Sequence, residues 1–186
     1  MCGIIGIASN EPVANKILSG LKRLEYRGYD SAGISIKKND LILERKTHGK
    51  LSNLINSLES NSIDGSIGIG HTRWATHGVP SDRNAHPHSS AKVSLVHNGI
   101  IENASELKKD LIKGGYEFLS DTDSEVITAL ITNLLDNGKT HIEAVKETIK
   151  MLEGSYALAI IFTDLEGTLI GAKNGSPLVA GSNGIS

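Results

Sequence analysis

The sequence has one cysteine, no long run of like charge, and no apolar stretch near the roughly 20 residues that a membrane span needs. A single cysteine excludes an internal disulfide and a Cys-pair metal site, and it fits a reducing compartment. Nineteen basic residues against 21 acidic ones leave a formal net charge of −2. That balance calls for neither a nucleic-acid nor an anionic-membrane partner. The apolar opening is too short for a secretory segment, and no basic stretch precedes it; a cytoplasmic location is the expectation. Internal repeats and low-complexity tracts are lacking too. What remains is 186 residues, 39% hydrophobic and 22% charged. This is ordinary globular composition, with enough chain for one domain and a substantial core.

Glycine and histidine are what the chain has in excess. There are 20 glycines and seven histidines, and five of the histidines fall between His71 and His97. The lone cysteine, Cys2, directly follows Met1. Loss of Met1 would leave one residue carrying both a thiol and an α-amine. The amine titrates at about 7.7–8.0 and the thiol near about 8.5, so one can take the other's proton near neutrality. A terminal amine that activates its own side chain is a known form of nucleophile and base. Ile4, Ile5 and Ile7 predict a buried strand behind it, and Gly3 and Gly6 allow close approach of backbone or substrate. The plain alternative is an N-terminal strand that happens to carry a thiol.

Apolar spacing predicts a helix over 12–24 and a structured loop over 25–33. Strands around Ile34–Ile36 and Leu41–Leu43 join through Lys38-Asn39-Asp40, and a second helix covers Leu51–Leu58. Ile67 and Ile69 lead into a polar loop, His71 to Gly78. Residues 80–90 read as irregular. Val93–Val96 form a strand that ends at His97-Asn98-Gly99, where Asn-Gly signals a turn although Ile100 and Ile101 continue the apolar run. Helices follow over 106–112, 126–135 and 140–152. Asp121 or Thr122 is the expected cap of the second of these, with Glu125 returning to it. Strands are expected at 156–162, 169–172 and 178–180. Paired helices and hairpin-joined strands imply an α+β layered domain of antiparallel sheets with helices outside.

If Cys2 is a nucleophile toward an amide, it needs oxyanion donors and groups for the substrate's charged ends. Asn98 and Gly99 offer an amide side chain and a backbone N–H. Arg73 can grip a carboxylate, and Asp123, at a helix start, can accept from an ammonium. An Arg–Asp pair also serves as a structural salt bridge, and Asn-Gly as a simple turn. The clustered histidines invite a zinc reading, yet no His-Glu-x-x-His occurs; hydrogen bonding around the site is the preferred role for them. Trp74 either walls a pocket or packs in the core.

Six stretches occur in one order. They are Cys2-Gly3-Ile4, Arg27 through Gly33, His71 through Gly78, Asn84 through His88, His97 through Asn103, and Asp121 through Glu125. Together they resemble the glutaminase domains of glucosamine-6-phosphate synthases, within the class II glutamine amidotransferases, and the resemblance covers essentially the whole chain. It implies an N-terminal-nucleophile αββα sandwich that needs no cofactor and no metal. It also implies that Cys2, freed of Met1, attacks the side-chain amide of L-glutamine, with Asn98 and Gly99 as the oxyanion hole. Arg73 would take the substrate carboxylate and Asp123 its ammonium. Trp74, Thr76 and His77 would line the pocket, with Arg27 and His86 in support. On this resemblance residues 1–186 are a glutaminase domain short of its final strands. Its ammonia would pass, in a homodimeric full-length enzyme, to sugar-phosphate isomerase domains that turn fructose 6-phosphate into glucosamine 6-phosphate. Two further readings stand beside it: a non-catalytic amino-acid-binding module, and a metallohydrolase built on the histidines.

Overall fold

A computed structural model of the chain describes residues 2–74 and 78–182. Met1, Thr76 and His77, each part of the expected chemistry, lie outside the described residues.

The first sheet grows from a hairpin with one buried strand. β2 (Ser31–Lys38) is buried on both faces over nearly its whole length and pairs antiparallel with β3 (Leu41–His48). On its other side lies β4 (Ile67–Arg73), which in turn pairs antiparallel with β1 (Gly3–Ala8), so the order is β1-β4-β2-β3. α1 (Ala14–Leu24) and α2 (Leu51–Ser60) cover the outer face. Their apolar stripes, Val13, Ile17 and Leu21 with Leu51, Leu54 and Leu58, meet Ile34 and Ile36 of the sheet.

The second sheet has the order β5-β6-β7-β8, again antiparallel. Its strands are β5 (His88–Ser89), β6 (Val93–Ile101), β7 (Gly154–Phe162) and β8 (Ile170–Asn174). α3 (Ala104–Lys113), α4 (Ser124–Asp136) and α5 (His141–Met151) cover its outer face over a core that includes Leu95, Leu158 and Phe162. α5 starts with a full capping box, Thr140 with Glu143. Between the sheets lies a thinner apolar layer: Ile67, Ile69, Val96, Ala159 and Ile161. The architecture is therefore the expected αββα sandwich.

Several local expectations give way to tertiary pairing. Ser31, Ala32 and Gly33 belong to β2 rather than a loop, because β3 and β4 hydrogen-bond them from both sides. β4 runs on through His71, Thr72 and Arg73, where a loop was expected. Asn98-Gly99 is not a turn; β7 pairs with β6 across it, Asn98 facing Ala157 and Gly99 facing Tyr156. Leu178–Ala180 is not a strand, and Val179 is 93% exposed. α4 begins at Ser124 with Asp123 at its cap position and no side-chain cap bond. Glu125 instead accepts from the backbone N–H groups of Leu119 and Ser120, at 2.8 and 2.6 Å, and from the Ser120 hydroxyl.

Candidate active site

β1 and β4 run side by side with Ile4 opposite His71, so one step beyond the β1 end Cys2 reaches the end of β4. There Trp74 N–H donates to Cys2 Sγ at 3.3 Å, and the thiol lies 3.6 Å from Trp74 O as a donor. The thiol is thus held by backbone, which fixes it without another ionisable side chain. Burial pushes the thiol above its ordinary pKa, while the Trp74 N–H and the Arg73 guanidinium pull it down. A protonated resting thiol needs a base to become a nucleophile.

Cys2 opens into a cleft whose wall includes Arg73, Trp74, Gly99 and Asp123. These four come from two sheets and from the start of α4, and the fold brings them together with the cysteine. His86, His97, Thr122 and Ser124 line the same wall; the sequence marked Thr122 only as a possible helix cap and Ser124 only as part of the stretch Asp121 through Glu125. Trp74 is 47% exposed and edges against Tyr29 at 5.4 Å between ring centroids, so it is a wall rather than core. Asp123 Oδ2 accepts from the Ile101 N–H at 2.8 Å, and its other oxygen accepts from the Ser124 hydroxyl. That leaves the carboxylate oriented at the cleft by β6.

Asn98 stands beside the nucleophile: its Nδ2 donates to Cys2 O at 3.2 Å. Gly99 has φ +152, and a Cβ there would lie 1.9 Å from Ser155 O of β7. Only glycine fits the strand at this point. Arg27 sits on the 3₁₀ turn Glu25–Arg27 and is not among the cleft-lining residues. Its segment buttresses the cleft from behind, for Asp30 N–H donates to Arg73 O at 3.1 Å.

At the cleft wall and beneath it lie His71, His86, His88 and His97, each at most 5% exposed. His86 stacks on His71 at 4.1 Å and meets His88 edge-on at 4.6 Å. His71 bonds to His97 O, His88 to the Thr122 hydroxyl and His97 to the Ser124 hydroxyl. Burial holds all four below the ordinary imidazole range, His71 down to about 3, so they are neutral near pH 7. Stacked rings do not converge on a point, and among the described residues no group of three or more His, Cys, Asp or Glu side chains could hold a metal ion. His71, His88 and His97 hydrogen-bond around the cleft, whereas His86 lines the cleft and stacks on His71.

A family model described as a glutamine amidotransferase domain matches residues 71–183. The chain is 51% identical over 181 residues to a glutamine–fructose-6-phosphate aminotransferase (isomerizing) of Mesorhizobium japonicum, and 50% identical to one of Acinetobacter baylyi. Each match covers 97% of this chain and 30% of the relative, so the chain spans about a third of the length of these curated relatives. Among solved structures, it superposes on a glutamine phosphoribosylpyrophosphate amidotransferase of B. subtilis with TM-score 0.79 and 28% identity, over 94% of this chain and 37% of that one. A glutamine aminotransferase class-II domain protein of Silicibacter pomeroyi shares the fold at TM-score 0.61 and 14% identity, over 97% of this chain and 80% of that one.

Proposed function

The chain belongs to the glutamine amidotransferase domain family, and we propose that it hydrolyses the side-chain amide of glutamine through a thioester on Cys2. One observation carries the reading. The only thiol of the chain shares a cleft with one guanidinium, Arg73, and one carboxylate, Asp123. That pair matches the two charges of a free α-amino acid, and the thiol lines the same cleft.

In this mechanism Met1 is absent and the Cys2 α-amine takes the thiol proton. The sulfur bonds to the amide carbon, and the carbonyl oxygen becomes an oxyanion. Asn98 Nδ2 and the Gly99 N–H stabilise it. The C–N bond then breaks, the proton passes from the amine to nitrogen, and ammonia leaves. Water adds to the thioester, the sulfur departs with a proton returned to it, and glutamate is released. Arg73 holds the substrate carboxylate by its planar fork, and Asp123 its ammonium. Trp74 walls the pocket, and Arg27 and His86 support it. Fixing both charged ends orders the reacting carbon against the sulfur, which is worth several kcal/mol of the barrier in systems of this kind, on the order of 7–11 at the limit. In a longer polypeptide the ammonia would pass to sugar-phosphate isomerase domains and aminate fructose 6-phosphate, as the names of the relatives suggest.

The test is ammonia release from glutamine by protein whose N-terminal peptide is shown by mass to begin at Cys2. Cys2→Ala is expected to abolish release while the circular dichroism and melting temperature stay those of the parent. Continued hydrolysis by the alanine variant would sink the reading.

A further inference from the structure

We infer that Asn84 is a positioning residue that sets the spacing between the two charged groups proposed to hold the ends of the substrate. This rests on the glutaminase reading above and deepens it.

Asn84 is 1% exposed and stands between two segments. On one side is the segment that receives the Arg73 guanidinium. Arg73 Nη2 donates to Gly78 O at 3.1 Å, and the next carbonyl, Val79 O, accepts from Asn84 Nδ2 at 3.0 Å. Gly78 has φ +76, and a Cβ on it would lie 2.7 Å from that same Nδ2. On the other side is the segment that leads to Asp123. Asn84 Nδ2 donates to Asp121 Oδ2 at 3.3 Å, and Asn84 Oδ1 accepts from the Asp121 N–H at 2.9 Å.

One buried amide therefore uses both of its donors and its acceptor to tie the two segments together. The Arg83–Asp121 ion pair is 2.6 Å long but exposed at both ends, so it cannot replace that tie. Aspartate at position 84 would lose both donors and set a second carboxylate against Asp121. Alanine would remove all three bonds, to Val79 O, Asp121 Oδ2 and the Asp121 N–H, and with them the tie. Neither change reaches the reacting atoms: Cys2 precedes β1, and Asn98 and Gly99 belong to β6. A wrong spacing of the two charge-binding groups weakens binding of a zwitterion and leaves the chemistry of a bound one nearly intact.

The experiment measures glutamine hydrolysis by Met1-free parent, Asn84→Asp and Asn84→Ala. It adds two Cys2-labelling rates, one with iodoacetamide and one with a diazoketone analogue of glutamine. Expected for both variants is a rise in KM of tenfold or more with kcat within threefold of the parent. Labelling by the glutamine analogue at low concentration should slow by tenfold or more, and iodoacetamide labelling should not change. Gly78→Ala presses on the same amide from the opposite side and should give the same signature, which covers the case in which an Asn84 variant fails to fold. A purely structural role would slow both labels alike or lower kcat at constant KM; either result, or no change at all, overturns the inference. No ammonia from the parent would sink the glutaminase reading and this inference with it. A normal parent with kinetically normal variants would sink only the role of Asn84.

Discussion

One face of β4 carries Ile67, Ile69, His71 and Arg73, and its character changes halfway along. All four are buried, at 3%, 0%, 0% and 3% exposure. The first pair joins Val96, Ala159 and Ile161 in a dry layer between the sheets. The second pair enters a zone of imidazoles, amides and a thiol. For the isoleucines burial is favourable in itself, by about 1.5–3 kcal/mol each. For the histidine and the arginine burial costs free energy unless bonds and charge offset it. The same strand in the same register thus spends one half on stability and the other on a site. Four of the seven histidines of the sequence, His71, His86, His88 and His97, belong to that second half.

Gly99 lies where the two roles meet, and its substitution should have the largest effect. Gly99→Ala puts a methyl group 1.9 Å from Ser155 O. It is expected to lose both stability, by about 3 kcal/mol or more, and nearly all activity in the folded fraction. Denaturant titration and ammonia release measure the two. A variant with normal values of both would show that the strand yields there at little cost.

Ile69→Ala should act on stability alone. A fully buried isoleucine in a dry layer costs about 2–5 kcal/mol on truncation, while KM and kcat per folded molecule remain those of the parent. Arg73→Lys is the converse. Loss of the planar fork should raise KM for glutamine by about 100-fold, equivalent to about 2.7 kcal/mol. Arg73→Lys kinetics equal to those of the parent would take the carboxylate away from that residue.

Acid should weaken the polar half before the apolar one. His71 stays neutral in the folded state down to about pH 3, while an unfolded histidine takes up a proton near about pH 6.5. Below pH 6.5 the unfolded state binds the extra proton, so stability falls as pH drops from about 6.5 toward about 3. From His71 alone the loss at pH 5 is about 2 kcal/mol. Denaturant midpoints at pH 7 and pH 5 check this, and His71→Gln should flatten the slope. An unchanged midpoint would mean that the buried imidazoles can be charged in place.

The layers of the fold were legible in the sequence because amphipathic period and burial agree there. Val13, Ile17 and Leu21 mark α1 by spacing alone, and the helix expected over 140–152 is α5, His141–Met151. Where the outcome depends on a distant partner, local signals misled. Asn98-Gly99 carries a turn signal, yet β7 holds it straight. Leu178–Ala180 has strand composition, yet among the described residues no strand pairs with it. The site was legible as a set of residue types, Cys2 with Arg73 and Asp123, since a thiol and two opposite charges suit a zwitterionic amide. That Trp74 grips the thiol by its backbone was not, because a backbone contact follows from the register of β1 on β4 and leaves no trace in side-chain identity. The position of Asn84 between two loops was hidden for the same reason.

The account stands on acylation of a terminal cysteine. Protein with and without Met1 is mixed with glutamine, quenched in acid within a turnover and digested, and the peptides are weighed. The account predicts a glutamyl adduct on the peptide that begins with Cys2, sensitive to hydroxylamine, and none on the peptide that retains Met1. Ammonia release without that adduct, or an equal adduct on the Met1-bearing peptide, would contradict it.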